Sequence, residues 1–234
     1  MWEQIIVAGA APQRKPAREH MHALQRQPLM RGLYAITDGP RRDLLVAAEA
    51  ALAGGACMLQ YRDKSTDPAR RHTEAVTLQT LCQTHGVPLI INDDIALAAA
   101  VGAAGVHLGE RDADIATARA RLGPDAIIGA SCYDSLSRAR QLAAAGADYL
   151  AFGAFHPSPT KPHARHASPA LLRDAAALGL PRVAIGGITP DNGGALIDAG
   201  ADLLAVISGV FGAADVRAAA RRYADLFESM HRAS

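Results

Sequence analysis

One short pattern recurs four times along this chain and constrains its fold more than any other feature. An alanine-containing segment meets glycine and then an apolar run, in LAGGACML (52–59), AVGAAGVHL (100–108), AAGADYLAF (144–152) and DAGADLLAV (198–206). Each copy is typical of a helix C-terminus that leads directly into a buried strand. The recurrence therefore predicts a chain of alternating β-strands and α-helices.

Eight apolar runs rich in β-forming residues follow one another from residue 32, each followed by a segment with helical spacing. The predicted strands are 32–37, 56–62, 87–93, 105–109, 126–132, 148–153, 182–187 and 202–208. Eight unbroken units predict an α/β protein with a single (β/α)8 TIM barrel. A doubly wound open sheet also alternates strands and helices, but no G-x-G-x-x-G follows the first strand.

The composition agrees with one barrel domain. Half of the 234 residues are apolar and only 4% are aromatic, as expected for a buried sheet under alanine-rich helices. The first 28 residues have a different, polar rhythm with Arg and Pro. We therefore predict a short flexible N-terminal extension over 1–28 and a catalytic barrel over 29–234. The extension lacks a secretory pattern.

Charge and cysteine content narrow the classes of partner. The formal net charge of +1 gives no sign of a nucleic-acid partner, and no apolar run approaches the roughly 18 residues needed to cross a membrane. Three widely spaced cysteines without metal-ligand spacing indicate buried thiols in a reducing compartment. We expect a cytoplasmic protein with small-molecule partners; its oligomeric state, including a homo-oligomer, stays open.

In a barrel of this kind the active site lies where the strands end. The residues that stand at these ends are polar or glycine, apart from Ile207: Gln60, Tyr61, Arg62, Asp63, Lys64, Asn92, Asp93, Asp94, His107, Asp112, Ser131, Gly186, Gly187, Ile207 and Ser208. The sixth strand opens into HPSPTKPHARH (156–166), a proline-rich segment with Lys161. These groups would converge on one rim.

Each group also has a purely structural explanation. The run 92–94 could cap the next helix, the alternating residues of 60–64 could form a solvated edge, and the glycine pair could be a tight turn. Ser208 could be a cap, and His107 could be a hydrogen-bonded histidine of the inner layer. Their shared position on one rim weakens these explanations together.

Two anion sites are the chemistry that the rim suggests. Asp93 and Asp112, on adjacent strands, can hold one Mg²⁺ ion that also binds substrate phosphate, and Arg62, Lys64 and Lys161 add positive charge. The glycines after strand seven and Ile-Ser-Gly (207–209) after strand eight stand where barrels bind phosphate through backbone N–H groups. A diphosphate leaving group and a second phosphorylated substrate fit this arrangement better than hydrolysis.

The motifs QYRDK, LIINDD, GVHLGERD, GASCY, FGAFHPSPTKP, AIGGIT and AVISGVF closely resemble the thiamine-phosphate synthase family, in this order, over residues 31–215. The resemblance implies that 4-amino-2-methyl-5-(diphosphooxymethyl)pyrimidine is joined to a thiazole phosphate, or to its carboxylate. The products would be thiamine phosphate and diphosphate, formed by a Mg²⁺-assisted dissociative substitution.

Carried over residue by residue, the resemblance assigns three groups of contacts. Those to the pyrimidine diphosphate are Gln60, Tyr61, Arg62, Asp63, Lys64, Asn92, Ser131 and Lys161. Those to the thiazole phosphate are Ser158, Pro159, Thr160, Gly187, Ile207 and Ser208. Asp93 and Asp112 become the Mg²⁺ ligands, and Arg62, Lys64 and Lys161 the catalytic cations.

The chain departs from the family pattern at a few positions. Asp63 stands where Glu is frequent, Ser158 replaces a Thr, and Cys132-Tyr133 replaces a Thr-His pair. Three other functions compete: a thiazole tautomerase of the same fold, a non-catalytic regulatory barrel, and a phosphosugar isomerase. The first two would not need the aspartates and the Gln-Arg-Lys set together, and the third calls for a paired acid and base.

Overall fold

The computed structural model describes residues 30–110, 114–157 and 166–231. Its eight strands are β1 (Gly32–Ile36), β2 (Ala56–Tyr61), β3 (Leu89–Asn92), β4 (Gly105–Leu108), β5 (Ile127–Tyr133), β6 (Tyr149–Gly153), β7 (Arg182–Ile185) and β8 (Leu203–Val206). They pair in parallel in chain order, and β8 pairs with β1 to close the barrel. The predicted TIM barrel is confirmed; the predicted extension lies outside the described residues.

Helices follow the strands and cover the barrel. They are α1 (Leu44–Ala53), α2 (Pro68–His85), α3 (Ile95–Val101), α4 (Ile115–Leu122), α5 (Leu136–Ala144), α6 (Pro169–Asp174), α7 (Pro190–Asp198), the one-turn α8 (Ser208–Phe211) and α9 (Val216–His231). The helical segment after β6 is split, because α6 passes into a 3₁₀ turn at Ala175–Leu178. Strand eight ends at Val206, two residues earlier than predicted, and Ser208 instead begins α8.

Glycine follows the last residue of two helices. Gly86 and Gly102 follow α2 and α3 with φ values of 64° and 63°, in the left-handed region that costs glycine little. Aspartate begins the same helices, since Asp67 and Asp94 accept hydrogen bonds from Arg70 N and Leu97 N. Local chemistry therefore sets the bounds of these helices.

The aspartate of the repeated Gly-Ala-Asp junction ties each new strand to the strand before it. Asp148 Oδ2 accepts the backbone N–H of Ile128 at 2.7 Å and a bond from Arg119 at 2.6 Å. Asp202 Oδ2 accepts the N–H of Arg182 at 2.8 Å and its Nε at 3.2 Å. The junction thus fixes β6 against β5 and β8 against β7.

Side chains alternate between the barrel interior and the layer beneath the helices. In β1, Tyr34 and Ile36 belong to the interior cluster, whereas Leu33 and Ala35 pack toward the helices. Only the side chains at inward-facing positions of a strand can therefore reach the mouth of the barrel. Among the described helices, none is both long and apolar enough to cross a membrane.

Candidate active site

A cavity of about 810 Å³ opens at the C-terminal ends of the strands. Several residues predicted from the sequence line it: Gln60, Arg62, Lys64, Asn92, Asp93, Ser131, Gly187, Ile207 and Ser208. The predicted Asp112, Ser158, Pro159, Thr160 and Lys161 lie outside the described residues. The barrel thus gathers these groups from five different strand ends at one opening.

The residues at the end of β2 alternate between two environments, the cavity and the layer of helices. Gln60, Arg62 and Lys64 line the cavity. Tyr61 donates to Glu74 Oε2 on α2 at 2.7 Å, and Asp63 pairs with Arg70 of the same helix, also at 2.7 Å. The structure does not bring Tyr61 and Asp63 into the cavity with the other residues predicted to bind the pyrimidine diphosphate; both bind α2 instead.

Asp63 is a buried carboxylate with several donors. Its side chain is 0% exposed, and it accepts the Ser65 N–H at 2.7 Å besides the Arg70 guanidinium. Burial raises the pKa of Asp63, but the hydrogen bonds from Ser65 and the charge of Arg70 outweigh burial, so the net pKa is lowered. The ionised carboxylate holds the loop that presents Lys64.

The end of β3 places one carboxylate at the cavity and a second at a helix. Asp93 has a φ of 64° and receives a 2.6 Å bond from Asn92 Nδ2, while its backbone N–H donates to His107 O. Asp94 instead accepts Leu97 N and pairs with Arg71 at 3.0 Å. Within the run 92–94, Asp94 is therefore the helix cap, and Asp93 lines the cavity.

On the opposite side of the mouth, the backbone at Gly187 lies close to the backbone of residues 156–157. Gly186 and Gly187 have φ values of 102° and 61°, and a Cβ on Gly187 would lie 2.4 Å from Pro157 O and 2.6 Å from His156 O. Ser208 begins α8 next to them on the cavity wall. Glycine is required here by both backbone conformation and space.

Sequence reasoning missed a chain of hydrogen bonds at the cavity floor. Gln60 Nε2 donates to Tyr34 Oη at 2.7 Å, Tyr34 Oη lies 2.8 Å from Tyr149 Oη, and Tyr149 Oη lies 3.0 Å from His107 Nδ1. His107 Nε2 is 2.9 Å from Ser131 Oγ. His107 is therefore the hydrogen-bonded inner-layer residue that was one alternative, and it also lines the cavity.

A signal for this floor exists in the sequence. Tyr34 and Tyr149 occupy inward positions on β1 and β6, where a buried phenol needs a partner.

Glu110 and Tyr133 also line the cavity, and no role was predicted for them from the sequence. Among the described residues, no cluster of three metal-ligating side chains is present.

Comparison with known proteins identifies relatives over nearly the whole barrel. Residues 33–210 match the thiamine monophosphate synthase family. Thiamine-phosphate synthase of Chromobacterium violaceum is 57% identical over 202 residues, which cover 86% of this chain and 98% of that protein. Its counterpart in Xanthomonas campestris pv. campestris is 58% identical over 194 residues, 82% of this chain and 94% of that one.

A solved structure shows the same relationship in three dimensions. The thiamine phosphate pyrophosphorylase from Pyrococcus furiosus superposes with a TM-score of 0.78 at 35% identity, covering 86% of this chain and 97% of that one. On this identity, coverage and fold, the chain belongs to the thiamine monophosphate synthase family and is a transferase of thiamine biosynthesis.

Proposed function

We propose that the barrel mouth condenses 4-amino-2-methyl-5-(diphosphooxymethyl)pyrimidine with 4-methyl-5-(2-phosphoethyl)thiazole, or its carboxylate. The products are thiamine phosphate and diphosphate. One observation carries the proposal: cationic side chains and a carboxylate stand on one side of a cavity whose other side is a glycine-lined backbone wall. Two phosphorylated substrates need two such sides.

The diphosphate belongs on the side formed by β2 and β3. Arg62 and Lys64 reach the cavity from one strand end, and Asn92 reaches it from the next. Fixed cations in a partly closed site stabilise charge that develops on a leaving group. Lys161, from the loop after β6, joins them in this proposal.

The residues at the mouth fit a Mg²⁺ ion. Asp93 offers a carboxylate at the cavity wall, and a hard cation with few protein ligands takes oxygen donors of this kind together with water and phosphate. Asp93 and Asp112 would hold the ion. When bound, Mg²⁺ would neutralise charge on the diphosphate.

The thiazole phosphate belongs on the opposite wall. Gly187 leaves the space that an approaching phosphate and the 156–157 backbone both require, and Ile207 and Ser208 adjoin it. The loops after the last two strands and a short extra helix are the usual phosphate site of such barrels. Ser158, Pro159 and Thr160 complete this side in the proposal.

The chain's own groups act mainly by position and charge. The bond between the pyrimidine methylene carbon and the diphosphate oxygen breaks, and the electron pair leaves with the diphosphate toward Arg62 and Lys64. The aminopyrimidine ring stabilises the methylene cation, and the thiazole nitrogen donates its lone pair to form the new C–N bond. The substitution needs no general base at the reacting carbon, so positioning and electrostatics carry the rate.

Two rival functions make different demands on the cavity. A thiazole tautomerase or a non-catalytic regulatory barrel would use the Gly187 and Ser208 side and would have no use for Arg62, Lys64 and Asp93 on the other. The presence of both sides in one cavity favours the condensation.

Location and assembly complete the proposal. The three cysteines are free thiols, which suits a reducing compartment, and we place the protein in the cytoplasm. Leu45, Val46 and Val76 are exposed apolar residues on the neighbouring helices α1 and α2 and are compatible with contact between copies of the chain.

A product assay tests the function. The protein is incubated with both substrates and Mg²⁺, and thiamine phosphate and diphosphate are quantified, with each substrate omitted in turn. We expect equal amounts of the two products only when both substrates are present. Isomerisation of the thiazole substrate alone would support the tautomerase, and binding without product would support the regulatory barrel.

A further inference from the structure

The hydrogen-bonded chain at the cavity floor has a defined direction. Gln60 Nε2 donates to Tyr34 Oη. If the Tyr34 hydroxyl donates to Tyr149 Oη, and Tyr149 donates to His107 Nδ1, every proton along the described chain has an acceptor. In the opposite direction Tyr34 Oη would accept two bonds, and its proton would have no acceptor among its described partners.

The direction extends to Ser131. With Nδ1 of His107 as the acceptor, a neutral imidazole carries its proton on Nε2 and donates it to Ser131 Oγ, 2.9 Å away. The hydroxyl proton of Ser131 is then available to donate to a ligand in the cavity that Ser131 lines. At the other end, the bond from Gln60 Nε2 to Tyr34 Oη fixes the orientation of the amide. The Oε1 atom of Gln60 is then available to accept a hydrogen bond from a ligand.

Tyr149 is the link between the two ends. Its side chain is 0% exposed and, unlike Tyr34, it does not line the cavity. Burial raises the pKa of the Tyr34 and Tyr149 phenols above the ordinary tyrosine value, so both keep their protons at neutral pH. Each hydroxyl therefore has one proton to donate, and ionisation of the phenols does not alter the direction of the chain.

The barrel makes room for this link at Gly129. Gly129 pairs with His107 on one side and with Tyr149 on the other, so the three residues share one level of the barrel. A Cβ on Gly129 would lie 1.8 Å from Cζ of Tyr149. The missing side chain lets the Tyr149 ring stack on His107, with centroids 5.6 Å apart and an interplanar angle of 20°.

We infer that Tyr149 is a positioning residue which sets the hydrogen-bond polarity of the site, making Ser131 a donor and Gln60 an acceptor toward the pyrimidine. The inference rests on the proposed function for the identity of the ligand. A 4-aminopyrimidine matches the polarity, because its amine donates and the ring nitrogen across from the amine accepts. A 4-oxopyrimidine presents a carbonyl oxygen to Gln60 Oε1, and the two acceptors repel.

The two tyrosines have different tasks under this inference. Tyr34 holds the Gln60 amide, so Tyr34→Phe frees the amide to turn but leaves Tyr149 donating to His107. Tyr149→Phe removes the donor to His107 and also lets the Tyr34 hydroxyl turn to Gln60. Only Tyr149→Phe should therefore change the hydrogen bonding of both Gln60 and Ser131.

The first measurement needs no substrate. Nitrogen-15 NMR of the imidazoles reports which nitrogen carries the proton, with His107 assigned by comparison with His107→Gln. We expect the proton on Nε2 in the unmodified protein and in Tyr34→Phe, and a mixture of tautomers in Tyr149→Phe. Tyr61→Phe, which removes a buried hydroxyl bonded to Glu74 outside the barrel, serves as the matched control and should leave the His107 signal unchanged.

The second measurement uses the full reaction. The 4-oxo analogue of the pyrimidine diphosphate competes with the substrate, and the ratio of its inhibition constant to the KM of the substrate reports discrimination. We expect Tyr34→Phe and Tyr149→Phe both to lower this ratio, and Tyr149→Phe alone to raise the KM for the pyrimidine by about tenfold through loss of the Ser131 donor. The KM for the thiazole phosphate should stay unchanged in both.

The outcomes separate this inference from the proposed function. A proton on Nδ1 of His107 in the unmodified protein would overturn the inference, as would equal effects of the two tyrosine variants on the His107 signal. If Tyr149→Phe does not fold, the unmodified protein and Tyr34→Phe still decide the direction. Failure to form thiamine phosphate, with the Nε2 tautomer present, would count against the function and not against the direction of the chain.

Discussion

The Arg70 guanidinium on α2 lies 2.7 Å from the Asp63 carboxylate, whose side chain is fully buried just beyond β2. The pair joins the helix to the loop that carries Arg62 and Lys64. Asp63 itself stays out of the cavity, so its contribution to activity would be indirect. The Asp63 carboxylate thus helps to hold Arg62 and Lys64 in place.

We predict that Asp63→Asn lowers both stability and turnover. Loss of the charged partner of Arg70 should cost about 2 kcal/mol of unfolding free energy, the scale of a hydrogen bond to a charged group. Turnover should fall because Arg62 and Lys64 lose their fixed position. Chemical denaturation and steady-state kinetics measure the two effects. Asp43→Asn is the control and should change little, because the Asp43 carboxylate paired with Arg41 is exposed.

The same carboxylate predicts a pH dependence of stability. Because the folded-state pKa of Asp63 is lowered, its contribution is present above the unfolded pKa of about 3.9 and is lost as the pH falls through the folded pKa. The unfolding free energy should therefore drop steeply below about pH 4. Asp63→Asn should flatten this part of the profile, and an unchanged slope would show that other groups cause the loss.

We predict that Asp93→Asn and Asp94→Asn act differently although they are neighbours. Asp93→Asn should weaken the Mg²⁺ dependence of turnover and lower kcat sharply, and Asp112→Asn should do the same. Asp94→Asn should weaken the Arg71 pair and shift the thermal midpoint while the Mg²⁺ dependence remains, since Asn still caps a helix. Rates measured over a range of Mg²⁺ concentrations separate the cases; equal, small effects from all three variants would refute the metal assignment.

Lys161 should act on the leaving diphosphate. A single ammonium over a departing anion stabilises charge that grows toward the transition state. Lys161→Ala should therefore lower kcat more than it raises the KM of either substrate. Normal turnover with weaker binding alone would contradict this role.

The glycine wall predicts a selective loss of one substrate. Gly187→Ala would press a methyl group against Pro157 O and His156 O at a φ of 61°, so the wall and the start of the following loop must shift. The variant should lose affinity for the thiazole phosphate and keep affinity for the pyrimidine diphosphate with Mg²⁺. Gly194→Ala in α7, where a Cβ meets nothing within 4 Å, is the control and should stabilise the helix by roughly 0.5–1 kcal/mol. Loss of both substrates in Gly187→Ala would show that the two sides are not independent.

Much of this molecule was predictable from the sequence because the physics involved is local. Glycine stops and aspartate caps set the helices, and period-two alternation explains why Gln60, Arg62 and Lys64 share the cavity. The same alternation, applied strictly, would have placed Tyr61 on the outer face. The family resemblance, which assigned all of residues 60–64 to the same substrate, did not separate Tyr61 from its neighbours.

The parts that were missed depend on contacts between distant strands. Tyr34 and Tyr149 meet although 115 residues separate them, and their bond depends on the barrel closing and on the space at Gly129. No local pattern predicts that two phenols of β1 and β6 reach each other. The boundary between β8 and α8 was also misplaced, because an apolar run reads alike in a strand and in a one-turn helix.

The central claim is that one cavity holds two phosphorylated ligands at once, on opposite sides. Calorimetric titration of the thiazole phosphate into the protein, alone and then saturated with inorganic diphosphate and Mg²⁺, tests it without turnover. The claim predicts that the two Kd values agree within roughly threefold, a small coupling between separate sites. A rise in the apparent Kd in proportion to the diphosphate concentration would show competition for a single anion site and would contradict the account.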